Sequence, residues 1–165
     1  MRGLEEIYLK GFSYDKYLGI ASKDELEKLD ELYKNIVISD DFVNKIKAIN
    51  RKVSVLASVE TWCPFVRVFL ITLRKINEIN YIFDLSLITY GRGASELAGY
   101  LKIDEDDFVV PTAVFLDESF SKLRVFNGFP EKYHKEDTLD TIDATRNYLK
   151  GKLVNDILEE ILNIF

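Results

Sequence analysis

A chain of 165 residues can bury one substantial core and is too short for two comfortable ones. Its 47% apolar and 30% charged residues suit a folded soluble domain, and a net charge of −6 works against phosphate-backbone binding, which needs clustered Lys and Arg. One cysteine and one histidine exclude an intrachain disulfide and leave too few Cys/His donors for a metal site.

The first residues, Met1-Arg2-Gly3-Leu4-Glu5-Glu6, contain no apolar leader core, and no stretch approaches the ~20 apolar residues of a membrane helix. A cytoplasmic location is expected, where a lone thiol stays reduced. Residues 1–20 scatter Tyr8, Phe12, Tyr14 and Tyr17 around Gly11 and Gly19, as a short helix or irregular arm lying on the core would. Ser22-Lys23-Asp24-Glu25 then fits a capping box, followed by Leu26, Leu29, Tyr33 and Ile36 at helical spacing. A second start signal, Ser39-Asp40-Asp41, precedes Phe42, Ile46 and Ile49. Residues 1–50 are therefore expected to form a helical extension packed on residues 51–165, the whole making one compact domain.

The character changes at Val53. Residues 53–59 form an unbroken β-prone run, which predicts a strand buried on both faces. The only cysteine and the only tryptophan follow, in Trp62-Cys63-Pro64, and Pro64 suits the first position of a helix reaching Ile79. Residues 81–87 read as a second strand, so this segment predicts a right-handed βαβ unit with parallel strands. A cysteine at such a junction meets the free N–H groups and the dipole of a helix start, which favour a thiolate. Arg67, one turn along, adds a candidate cation.

Further on, Tyr90-Gly91-Arg92-Gly93 reads as a loop and residues 94–101 as a short helix. Arg92 fits a flexible turn better than an anion site. Asp104-Glu105-Asp106-Asp107 reads as a solvated loop; beside an active site it would repel anionic thiols and oppose thiolate formation. Residues 112–117 and 122–126 make a hairpin across a turn at residues 118–121, and Gly128-Phe129-Pro130 closes the sheet. Asp137-Thr138 is read as the start of a helical tail, with Leu139, Ile142, Leu149, Leu153, Ile157 and Ile161 on one stripe and Gly151 as a candidate break. That stripe suits core packing better than dimerisation.

The element order resembles the thioredoxin fold. Two motifs carry the resemblance. Glu60-Thr61-Trp62-Cys63-Pro64-Phe65-Val66-Arg67 resembles the family's W-C-x-x-C site with its following basic residue, and Val110-Pro111-Thr112 stands at the family's cis-proline. The resemblance covers roughly residues 51–130 and, less fully, the C-terminal helix; the helical extension resembles a bacterial branch of thioredoxin-like proteins. It implies an α/β fold with a central mixed four-stranded sheet flanked by helices, plus the N-terminal extension and a C-terminal helix. Two departures bear on chemistry. Val66 stands where the family has its second cysteine, and Ala57 where thioredoxins carry a buried acid, so internal dithiol exchange is excluded.

What remains is a monothiol site acting on mixed disulfides. Cys63 would be the nucleophile, Arg67 its stabilising cation, and an external thiol would release the product, as in monothiol glutaredoxins. The resemblance implies that Trp62, Pro64, Val110, Pro111 and Thr112 line the substrate groove. The rival reading is a non-catalytic binding module that keeps Cys63 as an inert small hydrophobe. A peroxidase is disfavoured because Glu60 replaces the Thr or Ser three residues before a peroxidatic cysteine, and a glutathione transferase because its all-helical C-terminal domain has no counterpart. No cofactor or metal is expected. The expected partners are a protein or peptide thiol or disulfide, or a low-molecular-weight thiol, with no nucleic acid and no membrane, and a monomer is favoured over a homodimer.

Overall fold

The computed structural model describes residues 3–165, so Met1 and Arg2 of the N-terminal segment expected to lack a leader lie outside the described residues. The β-branched run after residue 52 forms β1 (Val53–Ser58), buried along its length except at Ser54. It pairs in parallel with β2 (Phe83–Ile88) and antiparallel with β3 (Thr112–Leu116), and β3 pairs antiparallel with β4 (Lys122–Asn127). The sheet is mixed and four-stranded, in the order β2-β1-β3-β4. Parallel β1 and β2 need a crossover, supplied by α5 (Pro64–Ile79).

Alternation along β1 and β3 divides the interior into two cores. Val53, Val55 and Ala57 join Phe115 and Phe126 on the face covered by α5, whereas Leu56, Val114 and Leu116 meet Ile7, Leu97 and Phe108 on the other. Each large apolar side chain so buried contributes about 1.5–3 kcal/mol of transfer free energy. The sheet is therefore fixed from both sides, and so is the end of β1 where the cysteine turn begins.

The N-terminal extension straddles the free edge of β2. α1 (Leu4–Leu9) places Ile7 in one core and α2 (Tyr14–Leu18) places Tyr17 in the other. Between them Phe12 exchanges two 2.8 Å backbone hydrogen bonds with Leu87, covering part of the edge. α3 (Lys23–Asn35) starts at the Ser22–Glu25 capping box and, with α4 (Asp40–Lys47), packs on α5. β2 starts at Phe83, later than expected, because the Asn77 side chain takes the N–H groups of Ile82 and Phe83.

The segment expected as a loop at residues 90–93 is helical. Thr89 caps it by accepting from the Arg92 N–H, and α6 (Tyr90–Arg92) runs through a π-helical turn (Gly93–Leu97) into α7 (Ala98–Leu101). Arg92 is neither a flexible turn residue nor an anion site. It pairs with Glu96 at 3.0 Å and donates to the Lys10 carbonyl. Gly93 is required by space: a Cβ there would lie 2.1 Å from Ser58 Oγ. The acidic run is an exposed 3₁₀ turn, Glu105–Asp107.

The tail also differs from expectation. α8 (Glu131–Glu136), absent from the sequence reading, ends at Asp137 in the left-handed region, so no helix starts there. α9 (Ile142–Leu149) starts at Thr141, and Ile142 is 78% exposed, off the buried stripe. Gly151, at φ +81°, separates it from α10 (Val154–Leu162). Among the described residues no helix is long and apolar enough to cross a membrane.

Candidate functional site

The site is built where β1 runs out. The Cys63 N–H donates to the Glu60 carbonyl at 3.0 Å and closes the chain into a tight turn, so Cys63 becomes the N-cap of α5 with Pro64 at the first helical position. Four side chains tie this turn down. The Tyr17 hydroxyl donates to the Val59 carbonyl at 2.6 Å, and the Glu60 carboxylate accepts from the Tyr90 N–H at 2.9 Å. The Thr61 hydroxyl donates to Glu25 at 2.8 Å, and Arg67 Nη1 donates to the carbonyls of Thr61 and Trp62, each at 3.1 Å. Burial, followed by the Glu60 and Glu25 charges, pushes the Tyr17 pKa well up, so its hydroxyl stays a donor.

Opposite the turn, the Val110–Pro111 peptide bond is cis. The Cys63 thiol faces the Val110 carbonyl oxygen at 3.7 Å. The Thr112 hydroxyl donates to the Val109 carbonyl at 2.7 Å and to Asn127 Oδ1 at 3.0 Å, while the Gly128 N–H donates to the Pro111 carbonyl at 2.7 Å. These bonds fix the segment that faces the sulfur. Among the described residues, no hydrogen bond uses the Val110 N–H.

Exposure is uneven across this surface. Cys63 is 8% exposed, but Trp62 beside it is 62% exposed and Val109, which precedes Val110, 44%. Large apolar groups left in water at a rigid junction are suited to meeting a partner. Phe65 on α5 packs against Phe129, whose ring stacks on His134 at 4.3 Å and extends the apolar border. On the core side the surroundings are apolar: Ala57 and Val66 are both fully buried, in the same apolar cluster as Cys63. A proton acceptor and a resolving thiol are therefore both missing from the core side.

The structure brings together Trp62, Cys63, Val110, Pro111 and Thr112, with Pro64 opening the helix. The Arg67 guanidinium is engaged with the two loop carbonyls that precede the cysteine. Sequence reasoning missed Tyr17, Glu25 and Glu60 as supports and Val109 as an exposed rim residue. Tyr17 lies 42 residues from Val59, and no local pattern links them; Val109 was within reach as the apolar residue two before Pro111. Among the described residues, no group of three or more His, Cys, Asp or Glu side chains could hold a metal ion.

A family model described as thioredoxin matches residues 11–140. A solved structure of a protein of unknown function from Pseudomonas aeruginosa is similar over 99% of this chain and 97% of its own, with a TM-score of 0.88 at 20% identity. An HIV epitope-scaffold matches with a TM-score of 0.87 at 20% identity, over the same shares of both chains. Likeness at that identity concerns the fold alone. No curated protein matches the chain in sequence.

Proposed function

Since the chain belongs to the thioredoxin family, we propose that it exchanges mixed disulfides through Cys63, with an external thiol completing the cycle. The observation that carries this reading is the sulfur's position, at the N-cap of the 16-residue α5 and against the Val110 carbonyl. Free N–H groups of the first helical turn favour a negative sulfur there. In the first step the Cys63 thiolate attacks one sulfur of a partner's disulfide. A bond forms between Cys63 and that sulfur, the partner's S–S bond breaks, and the departing thiolate takes a proton from solvent. A second thiolate, from a low-molecular-weight or protein thiol, then attacks the mixed disulfide, forms a new disulfide and releases Cys63.

Trp62, Pro64, Val109 and Thr112 are proposed to shape the groove. The Val110 N–H is available to an extended substrate segment, which would pair as an added strand does. Incubation with a radiolabelled or mass-tagged mixed disulfide tests this. The adduct should form on Cys63, be released by added thiol, and be absent from Cys63→Ser.

A second reading is favoured by one observation. Ala57 and Val66 are buried apolar groups in the same cluster as Cys63, which suits a groove kept for binding alone. Under this reading a partner would be retained by Cys63→Ser as firmly as by the native protein, with no adduct in either.

A further inference from the structure

We infer that the cavity between α3, α5 and α9 binds a small oxyanion, a carboxylate or a phosphate, through Arg67 with help from Lys28 and Lys150. The inference does not depend on the exchange reading, because Cys63, whose thiol contacts the Val110 carbonyl, is not among the residues that line this cavity.

The cavity has a volume of about 310 Å³, and Pro64 and Arg67 form its α5 wall. Arg67 is only 8% exposed. Burying a charge costs heavily unless it is paired. Its Nη1 is satisfied by the Thr61 and Trp62 carbonyls, but a guanidinium carries five N–H donors. Among the described residues, no carboxylate forms an ion pair with it. Glu25, which reaches the same turn, accepts from Ser22 and Thr61 instead.

The other charges on the cavity are Lys28, Lys150 and Glu31. Lys28 pairs with Asp24 at 3.0 Å. Counting the Asp24 partner of Lys28, three cations meet two carboxylates around a recess also lined by Leu32 and Leu149, and at the buried Arg67 reduced hydration strengthens charge-assisted bonds. The planar guanidinium fork matches the two oxygens of a carboxylate or phosphate. Arg67 also holds the carbonyl of Trp62, the only tryptophan, so occupancy should be felt at the cysteine turn.

Calorimetric titration with inorganic phosphate, and separately with acetate, at ionic strength fixed by chloride, tests the site. One saturable binding event with either anion is expected, accompanied by a change in Trp62 emission; the tighter anion identifies the ligand class. The variant K28Q/K150Q, altered only at the cavity rim, should bind about tenfold more weakly. Arg67→Gln should abolish binding. No saturable heat with either anion would overturn the inference, as would K28Q/K150Q binding as tightly as the native protein.

Discussion

The Cys63 sulfur stands 3.7 Å from the carbonyl oxygen of Val110, across the cis-Pro111 peptide. This pair joins two parts of the chain 47 residues apart. One side is held by the first turn of α5, the other by Thr112 and Gly128. The sulfur is thus positioned by backbone on both sides, while the side chains that complete a dithiol cycle are absent.

Restoring one of them is a direct perturbation. Val66 lies three residues after Cys63 in the first turn of α5 and is fully buried. Val66→Cys should cost about 1 kcal/mol for the lost methyl packing. On oxidation it should gain an internal disulfide, read by mass spectrometry as the loss of two hydrogens. A variant that stays a free dithiol under oxidant would show that the turn is not shaped like a dithiol site.

The Tyr17 hydroxyl is one link by which the N-terminal extension supports the end of β1. Tyr17→Phe leaves the Val59 carbonyl without this 2.6 Å hydrogen bond. A loss of about 1–3 kcal/mol is expected from the urea midpoint at unchanged slope. An unchanged midpoint would mean that the bond contributes nothing net.

Gly93 is a matter of space, not of backbone freedom. A methyl there would meet Ser58 Oγ at 2.1 Å and Phe108 at 2.6 Å. Gly93→Ala should destabilise the fold by about 1–3 kcal/mol through overpacking, although alanine is the better helix former. Equal or higher stability would contradict the contact.

Glu160 supplies a pH dependence. One of its oxygens accepts the Glu131 N–H at 2.8 Å and lies 3.5 Å from Arg124, and the other is buried without a partner. Burial, the largest influence, raises its pKa above the ordinary 4.5, outweighing the Glu131 N–H and Arg124, which lower it. A raised folded-state pKa favours the folded protein while the group is protonated. That advantage is complete below the ordinary value and is lost as pH rises through the folded value. Denaturation of the native protein and Glu160→Gln, compared from pH 4 upward, should show the native protein losing stability relative to the variant. A constant difference would contradict the shift.

Much of the fold was legible because its signals are local. The Ser22–Glu25 capping box, the β-branched run of β1 and Pro64 at the start of α5 each act within a few residues. Tertiary causes were invisible. Gly91 and Gly93 suggested a loop, but Gly93 is small because Ser58 and Phe108 press against it. α8 buries only Tyr133, so it shows no apolar period. Spacing correctly put Arg67 one turn after Cys63. It did not reveal that helical side chains lean toward the N-terminus, where the Thr61 and Trp62 carbonyls take the guanidinium. The meeting of Cys63 with Val110 was readable only through the family resemblance.

A working nucleophile at Cys63 must react in the folded protein, although the residue is largely buried. Its second-order rate with a small symmetric disulfide should therefore be measured in native and in urea-unfolded protein at the same pH. Faster reaction is expected in the native state, with the mixed disulfide released by added thiol. Reaction that begins only after unfolding would contradict it and leave Cys63 as a packing residue in a binding groove.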